Sequence, residues 1–427
     1  MLCSRSPARV SLTLQGFPVR DSGLLSRALS PSVPAADNLK KRAARGMRHT
    51  FFLVIGALAV LPLQPVMPSL GVDPSWKFAM DQAVSAGKQL GSDFIFTYGP
   101  LGSVITRTFH PDLVGQQYFA GLAFSAVIGF CLSKLWSLQK RLVAILLAGA
   151  FGSVGYFAVE YLFAAIAIVL FYLTVIQSVD RLWILVFVWL PFSLFPLMKG
   201  TLFVLWLSIV PLLVAQQLVQ RHPHRHAAML FLSQIAAVPL AWISTGYGVS
   251  GLFLGLGSTL WTIPGYSMAM SIPGPGWQVV LAIVGGVAAL GATAALLSAR
   301  GLFLRYLPFQ LAVAVFLFLA FKSGFVRHDN HVFMYLFSLG VVALLAVTFA
   351  EISDRTLLGY GLLFGIPALV AGTLTLPLER ISHVPGEIGF RIASLGQLLS
   401  GPPAYVARQE AVFQSRVTSL QRSVELE

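Results

Sequence analysis

The sequence predicts an all-α, polytopic transmembrane bundle of about eleven spans. Three observations predict it. The 427-residue chain is 56% hydrophobic and only 11% charged, too little charge to cover a soluble surface of that size. Apolar runs of roughly 17–22 residues recur along it, each about long enough to cross ~30 Å of hydrocarbon. The runs are continuous, whereas the strands of a membrane barrel must alternate. The net charge of +13 does not mark a nucleic-acid binder, because much of the excess lies in the first fifty residues and in short loops, where it reports topology. Cys3 and Cys131 are far apart and form no disulfide or zinc pattern.

Taken in order, residues 1–46 form a basic N-terminal tail, rich in Arg and Ser and poor in acids. Transit peptides share that bias. A disordered cytoplasmic tail, or an upstream start with Met47 as initiator, is the plainer pair of readings and is preferred. "MRHTFFLVIGALAVL" then has the form of an uncleaved anchor. Within a transmembrane domain 47–376, spans are expected near 51–69, 113–133, 142–158, 162–179, 182–198, 201–219, 228–245, 277–298, 307–321, 332–350 and 356–376. Residues 377–427 make a short extracytoplasmic tail, whose end "RVTSLQRSVELE" is either an amphipathic helix or a frayed terminus. With the N-terminus in the cytoplasm, Lys134, Lys140, Arg141, Arg181, Arg221, Arg225, Arg300, Arg305 and Arg355 all fall in inner loops. Most of the unusual polar clusters then share the outer face. "RHPHRH" at 221–226 is the inner-face exception and reads as an anchor rather than a metal site.

The first outer loop opens with "GVDPSWKFAMDQAVSAGKQLGSD". Asp73-Pro74 reads as a helix N-cap and N1 proline. Trp76, Met80, Ala83 and Val84 share one face of an amphipathic helix lying in the interface, Lys77 and Asp81 form an i,i+4 pair on another, and Gly87 and Gly91 supply stops. A carboxylate at the membrane boundary is suited to take a proton from a sugar hydroxyl or to bind a divalent ion, which makes Asp73 and Asp93 candidates for either task. In "FTYGPLG", Gly99-Pro100 breaks the chain and Tyr98 places its ring in the interface and its hydroxyl in water.

Two further clusters stand on the same face. "FKSGFVRHDNHVF" packs Lys322, Arg327, His328, Asp329 and His331 into one turn, where outer loops are ordinarily poor in cations. Arg327 can fork two hydrogen bonds onto a phosphate, Lys322 adds a point charge, and His328 and His331 can donate to the same oxygens or bind a metal with Asp329. Lys199 lies at or inside the outer boundary, where an ionisable side chain is a functional candidate by default. The 246–276 loop, carrying Trp261 and Tyr266, is either a re-entrant or interfacial segment contacting acceptor or lipid, or a long connector.

An interfacial Asp after the first span, a short amphipathic helix, then an acid and a Tyr-Gly-Pro-Leu entry to the second span resemble the first outer loop of GT-C glycosyltransferases. The fuller set "DPSWKFAM…GSDFIFTYGPLG…GYSMAM…GFVRHDNH" is similar to a family of uncharacterised bacterial membrane proteins. The GT-C resemblance covers roughly Asp73–Gly102 and otherwise rests on topology. It implies a multi-pass enzyme of the bacterial inner membrane that moves a sugar from a polyprenyl-phosphate carrier to a glycan, lipid or protein acceptor on the outer face. It implies that Asp73 is the first-loop base or metal-associated carboxylate, and it puts Glu160, by position only, where such enzymes carry a second acid. Tyr98, Gly99, Pro100 and Tyr266 would shape the loop or meet the acceptor. Lys322, Arg327, His328, His331 and Lys199 would hold the donor phosphate. Here Asp73 is followed by Pro74 rather than by a second acid, and only ~50 residues follow the last span, a departure from relatives with a soluble C-terminal domain. The competing classes are a transporter or flippase for an anionic lipid or solute, and a non-catalytic membrane protein.

Overall fold

The structure is a computed structural model and describes residues 33–157, 159–176, 182–220, 224–329, 331–349 and 378–425. Contacts divide the chain into two compact units, residues 1–47 and 48–427. Helix α1 (Val33–Val60) begins in the first unit, so residues 33–46, expected to lack structure, are helical. The described residues are otherwise α2 (Val72–Ser85), α3 (Gly102–Thr106), α4 (Val114–Ser137), α5 (Arg141–Phe157), α6 (Val159–Ile176), α7 (Leu182–Trp189), α8 (Phe195–Met198), α9 (Gly200–Val219), α10 (His224–Ser244), α11 (Leu252–Ala269), α12 (Gly276–Ala299), α13 (Leu307–Val326), α14 (Val332–Phe349), α15 (Leu378–Ser400) and α16 (Pro402–Glu425). Among them strand pairing is confined to isolated bridges.

This is a helical, multi-pass membrane protein. Six helical segments among the described residues are long and apolar enough to cross a bilayer: Val114–Ser137, Val159–Ile176, Gly200–Val219, His224–Ser244, Gly276–Ala299 and Leu304–Val326. The apolar helices Arg141–Ser153, Leu182–Met198 and Val332–Thr348 are shorter. The expected count of about eleven is therefore not reached here. Hydropathy counts residues, but Pro191 and Pro196 break the 182–198 run into α7, a 3-10 turn and α8. Pro62 likewise follows the end of α1 at Val60, short of the expected 51–69. The run 356–376 lies outside the described residues.

α6 is apolar on every side and almost wholly buried, with α4, α5, α9, α13 and α14 packed around it. Polar side chains inside the bundle find partners across helices. Trp206 Nε1 donates to Gln234 Oε1 (3.1 Å), Gln234 Nε2 to the Trp189 carbonyl (2.9 Å), and Trp189 Nε1 to Thr174 Oγ1 (3.2 Å).

At one end of the bundle lie α2, α3 and α11 with the loops between them. α2 corrects two expectations. It starts at Val72 behind Gly71 (φ 122°), and no side chain caps it; the Asp73 carboxylate instead accepts a hydrogen bond from Trp76 Nε1 (3.2 Å). Lys77 and Asp81 make no ion pair. Asp81 is 1% exposed beside Met80 and Val84, the predicted apolar face, and neither of its oxygens has a hydrogen-bond partner. The helix stops at Ser85, with Gly87 at φ 70° and Gly91 at φ 96° as the turn requires. Most of the 246–276 loop is the helix α11. Its first turn abuts the Gly91 backbone, Ile263 packs on Gly200, and the segment after it pairs Ile272 with Arg327.

The C-terminal residues form a helical hairpin rather than a frayed end. α15 lays Leu395 against Ala57, Leu61 and Leu63. At the start of α16, Tyr405 donates its hydroxyl to the Leu63 carbonyl (2.6 Å), and Phe413 sets its ring against Phe78, Phe109 and His110. The hairpin thereby covers the loop between α1 and α4.

Candidate functional site

The site grows from one backbone contact. The helix breaks between α8 and α9 at Lys199, which is extended (φ −159°, ψ 145°). The Tyr98-Gly99-Pro100-Leu101 segment runs alongside it. Gly99 N–H donates to the Met198 carbonyl (3.2 Å), Leu101 N–H to the Leu197 carbonyl (2.8 Å), and Gly200 N–H to the Thr97 carbonyl (2.8 Å). A Cβ on Gly99 would stand 2.3 Å from the Leu197 oxygen, so the approach needs a residue without one. Tyr98 is buried, which corrects the expected water-facing hydroxyl. Its ring lies among Trp76 and Phe96 and under the Lys199 ammonium, 4.9 Å from the ring centre.

Lys199 reaches Glu160 in the first turn of α6, Nζ to Oε2 at 2.5 Å. An acid there also meets the positive end of the helix dipole. The pair borders a cavity of about 680 Å³ whose wall includes Lys77, Arg107, Tyr98, His331, Glu387 and Arg391. Such a volume suits a small polar headgroup. Lys77 is partly buried, and desolvation holds its ammonium below its ordinary value, with Asp73, Lys199 and Arg327 all within electrostatic reach. Arg107 donates to the Ala59 carbonyl (2.6 Å). Burial first, and then the charge of Arg391, lower its pKa, although a guanidinium stays charged at neutral pH. Arg391 is 4% exposed.

A shallower groove of about 380 Å³ holds Asp73 and Arg327, with Met270, Ser271 and Ile272 after α11. Tyr266 lines neither but stands near both: its ring edge meets Phe96 (6.0 Å), and Asp73, Arg327, Glu160 and Lys199 all act on it electrostatically. The candidates Asp73, Glu160, Lys199, Arg327, His331, Tyr98 and Tyr266 therefore converge on one end of the bundle.

The rest of the expected cation cluster does not act as one group. Arg327 Nε donates to Asp329 Oδ2 (2.8 Å), and His331 Nδ1 pairs with Asp329 Oδ1. Burial alone would raise the Asp329 carboxyl, but the bonds from His331 and Arg327 outweigh it and hold it below the usual carboxylate range. His328 pairs with Gln278 Oε1 (2.6 Å), and its ring fills the space where Gly274 has no side chain. Neither His328 nor Lys322 lines the cavity or the groove. Asp93 also lies apart, exposed, its carboxylate accepting the Gln89 N–H (2.8 Å) in a turn. Among the described residues no group of three or more His, Cys, Asp or Glu side chains is placed to hold a metal ion.

Lys77, Arg107, Glu387 and Arg391 escaped the sequence reading. Arg107 follows α3 within the loop and belongs to no motif in the sequence. Arg391 is one basic residue in "GFRIASLG", whose apolar neighbours Ile388 and Leu395 at helical spacing were the available signal. No family model, no curated protein and no solved structure matches the chain.

Proposed function

We propose that the protein is a glycosyltransferase that takes a sugar from a polyprenyl-phosphate carrier and passes it to an acceptor hydroxyl at the outer face of the membrane. The observation that supports this reading best is the cavity at the helix ends, where Lys77, Arg107, Lys199 and Arg391 stand against Glu160 and Glu387 beside a groove containing Asp73. In the reaction the acceptor oxygen attacks the anomeric carbon and the bond from that carbon to the phosphate oxygen breaks. Asp73 takes the acceptor proton. The departing phosphate keeps its electron pair, and the fixed cations offset its charge. The Lys199–Glu160 pair and the Tyr98 ring hold the wall in place, so that less reorganisation accompanies charge development.

The test compares membranes carrying wild-type protein, Asp73→Asn and Lys199→Gln at equal folded amounts. The reading expects both variants to lose at least tenfold in the release of polyprenyl phosphate from its sugar-linked form and in the matching surface glycan. Unchanged release and glycans in both would end it. Movement of intact lipid phosphate across vesicles without sugar release would point instead to a flippase.

A further inference from the structure

The two helices of the C-terminal hairpin present different faces to their surroundings. In α15, Leu395 and Leu398 pack with Ala57, Leu61 and Leu63. Beside that buried face runs an open stripe of Ile388, Ile392 and Leu399, at i, i+4 and i+11. Ile392 is 55% exposed and Leu399 74%. Phe390, also exposed, stands on the far flank. From Pro385 to Ser400 the charged side chains are Glu387 and Arg391, and both line the polar cavity. The open arc from Ile388 round to Phe390 therefore carries no charge. α16 is the reverse. Its exposed residues include Arg408, Glu410, Arg416 and Arg422, and among the described residues Val412 is its one widely exposed large apolar side chain.

We infer that α15 is an interfacial helix, with Ile388, Phe390, Ile392 and Leu399 seated in the boundary between lipid headgroups and acyl chains while α16 stands in water. Three observations carry it. Single exposed apolar residues are ordinary, but an uncharged stripe along four turns of one helix marks a contact surface. The charged face of α16, in the same hairpin, shows the composition that this chain uses toward water, so the contrast follows the solvent and not the place in the sequence. The stripe is also continuous with the apolar flank of the bundle. Ile388 borders a groove of about 390 Å³ whose other walls include Ile55 and Leu58 of α1 and Ile145 and Gly149 of α5. Phe51 and Ile145 on that groove are exposed, where a membrane-spanning bundle meets lipid. The bilayer surface thus runs from α1 and α5 onto α15 without a polar seam. α15 then has lipid on one side and the polar cavity on the other, so its seating in the membrane holds Glu387 and Arg391 in the cavity wall. This goes beyond the transferase reading and does not depend on it.

The experiment attaches one nitroxide label at a time to the full-length protein in phosphatidylcholine vesicles. The variants are Ile392→Cys, Leu399→Cys, Arg408→Cys and Arg416→Cys in a Cys3→Ser background; Cys131 is buried and escapes labelling. Power saturation in electron paramagnetic resonance compares collisions with oxygen, which concentrates in hydrocarbon, and with a water-soluble nickel chelate. The expected result is an oxygen-to-nickel ratio at 392 and 399 at least about threefold above that at 408 and 416. Equal ratios at the four positions overturn the inference. Labels at 392 and 399 shielded from both reagents overturn it as well. Dipolar broadening between labels would then identify a second copy of the chain as the cover, and its absence would assign the cover to the chain's own residues 350–377. All four positions are exposed, so a label meets little packing. If the Ile392→Cys or Leu399→Cys protein does not fold, Phe390→Cys takes its place with the same expected ratio.

Discussion

Gly99→Ala is the most direct probe of how the site is held. The added Cβ would sit 2.3 Å from the Leu197 carbonyl oxygen and 2.7 Å from its carbon. An ordinary carbon–oxygen contact is about 3.3–3.6 Å, so the two segments must part by about 1 Å. That displacement falls on three backbone hydrogen bonds: Gly99 to Met198, Leu101 to Leu197 and Gly200 to Thr97. At about 1 kcal/mol net for each, the loss is about 2–3 kcal/mol. The Tyr98 ring would also shift from beneath Lys199, now 4.9 Å away. The assay is thermal unfolding of purified protein in detergent, with Gly149→Ala as the control because its Cβ enters open space. The expected outcome is a clearly lowered transition for Gly99→Ala and an equal or raised one for the control. Equal transitions for Gly99→Ala and wild type would refute the argument that backbone proximity holds Lys199 in the cavity wall.

Two further predictions concern buried charge. Burial raises the Asp81 carboxyl to about 8, so the folded protein holds a proton there that the unfolded chain, near the ordinary 3.8, releases. The contribution to stability is full below about pH 4 and is lost as pH rises toward about 8, at up to about 1.4 kcal/mol per pH unit. Asp81→Asn should flatten the Tm profile between pH 5 and 8, and parallel profiles for the two proteins would count against it. The second prediction is that Lys199→Met alone costs about 3–5 kcal/mol by stranding Glu160, whose Oε1 already lacks a hydrogen-bond partner. Adding Glu160→Leu should recover much of that loss. Simple additivity in the double-mutant cycle would show that the pair is not coupled.

The features legible in the sequence were local. The Trp76, Met80 and Val84 spacing marked the buried face of α2, the Gly99-Pro100 break marked where the chain turns, and Lys199 at a span boundary marked a depth at which a charge needs a partner. The errors also have local causes. Asp73 fits the N-cap pattern, but the Trp76 indole competes for its carboxylate and the helix starts two residues earlier, at Val72 behind Gly71. The Lys77–Asp81 pair assumes a solvated helix face, whereas α2 has Asp81 buried and Lys77 against a cavity. His328, Arg327 and His331 stand close in sequence, yet His328 turns to Gln278 while Arg327 and His331 meet across Asp329. The opposition of Arg107 and Arg391 was beyond reach, because it depends on how a C-terminal helix packs on an N-terminal loop.

The docking of the C-terminal hairpin sets a timetable. Glu387 and Arg391 emerge from the ribosome after every transmembrane helix described above, at about 5–20 residues per second. Until then the wall formed by Lys77, Arg107 and Lys199 stands without its last side and open to ions and lipid. A chain ended by a stop codon just before α15 would carry all of those helices and still have a breached chamber, with Leu63 and Phe109 stripped of their covering. The chamber wall is thus closed only once α15 has been made and has packed against the loop after α1.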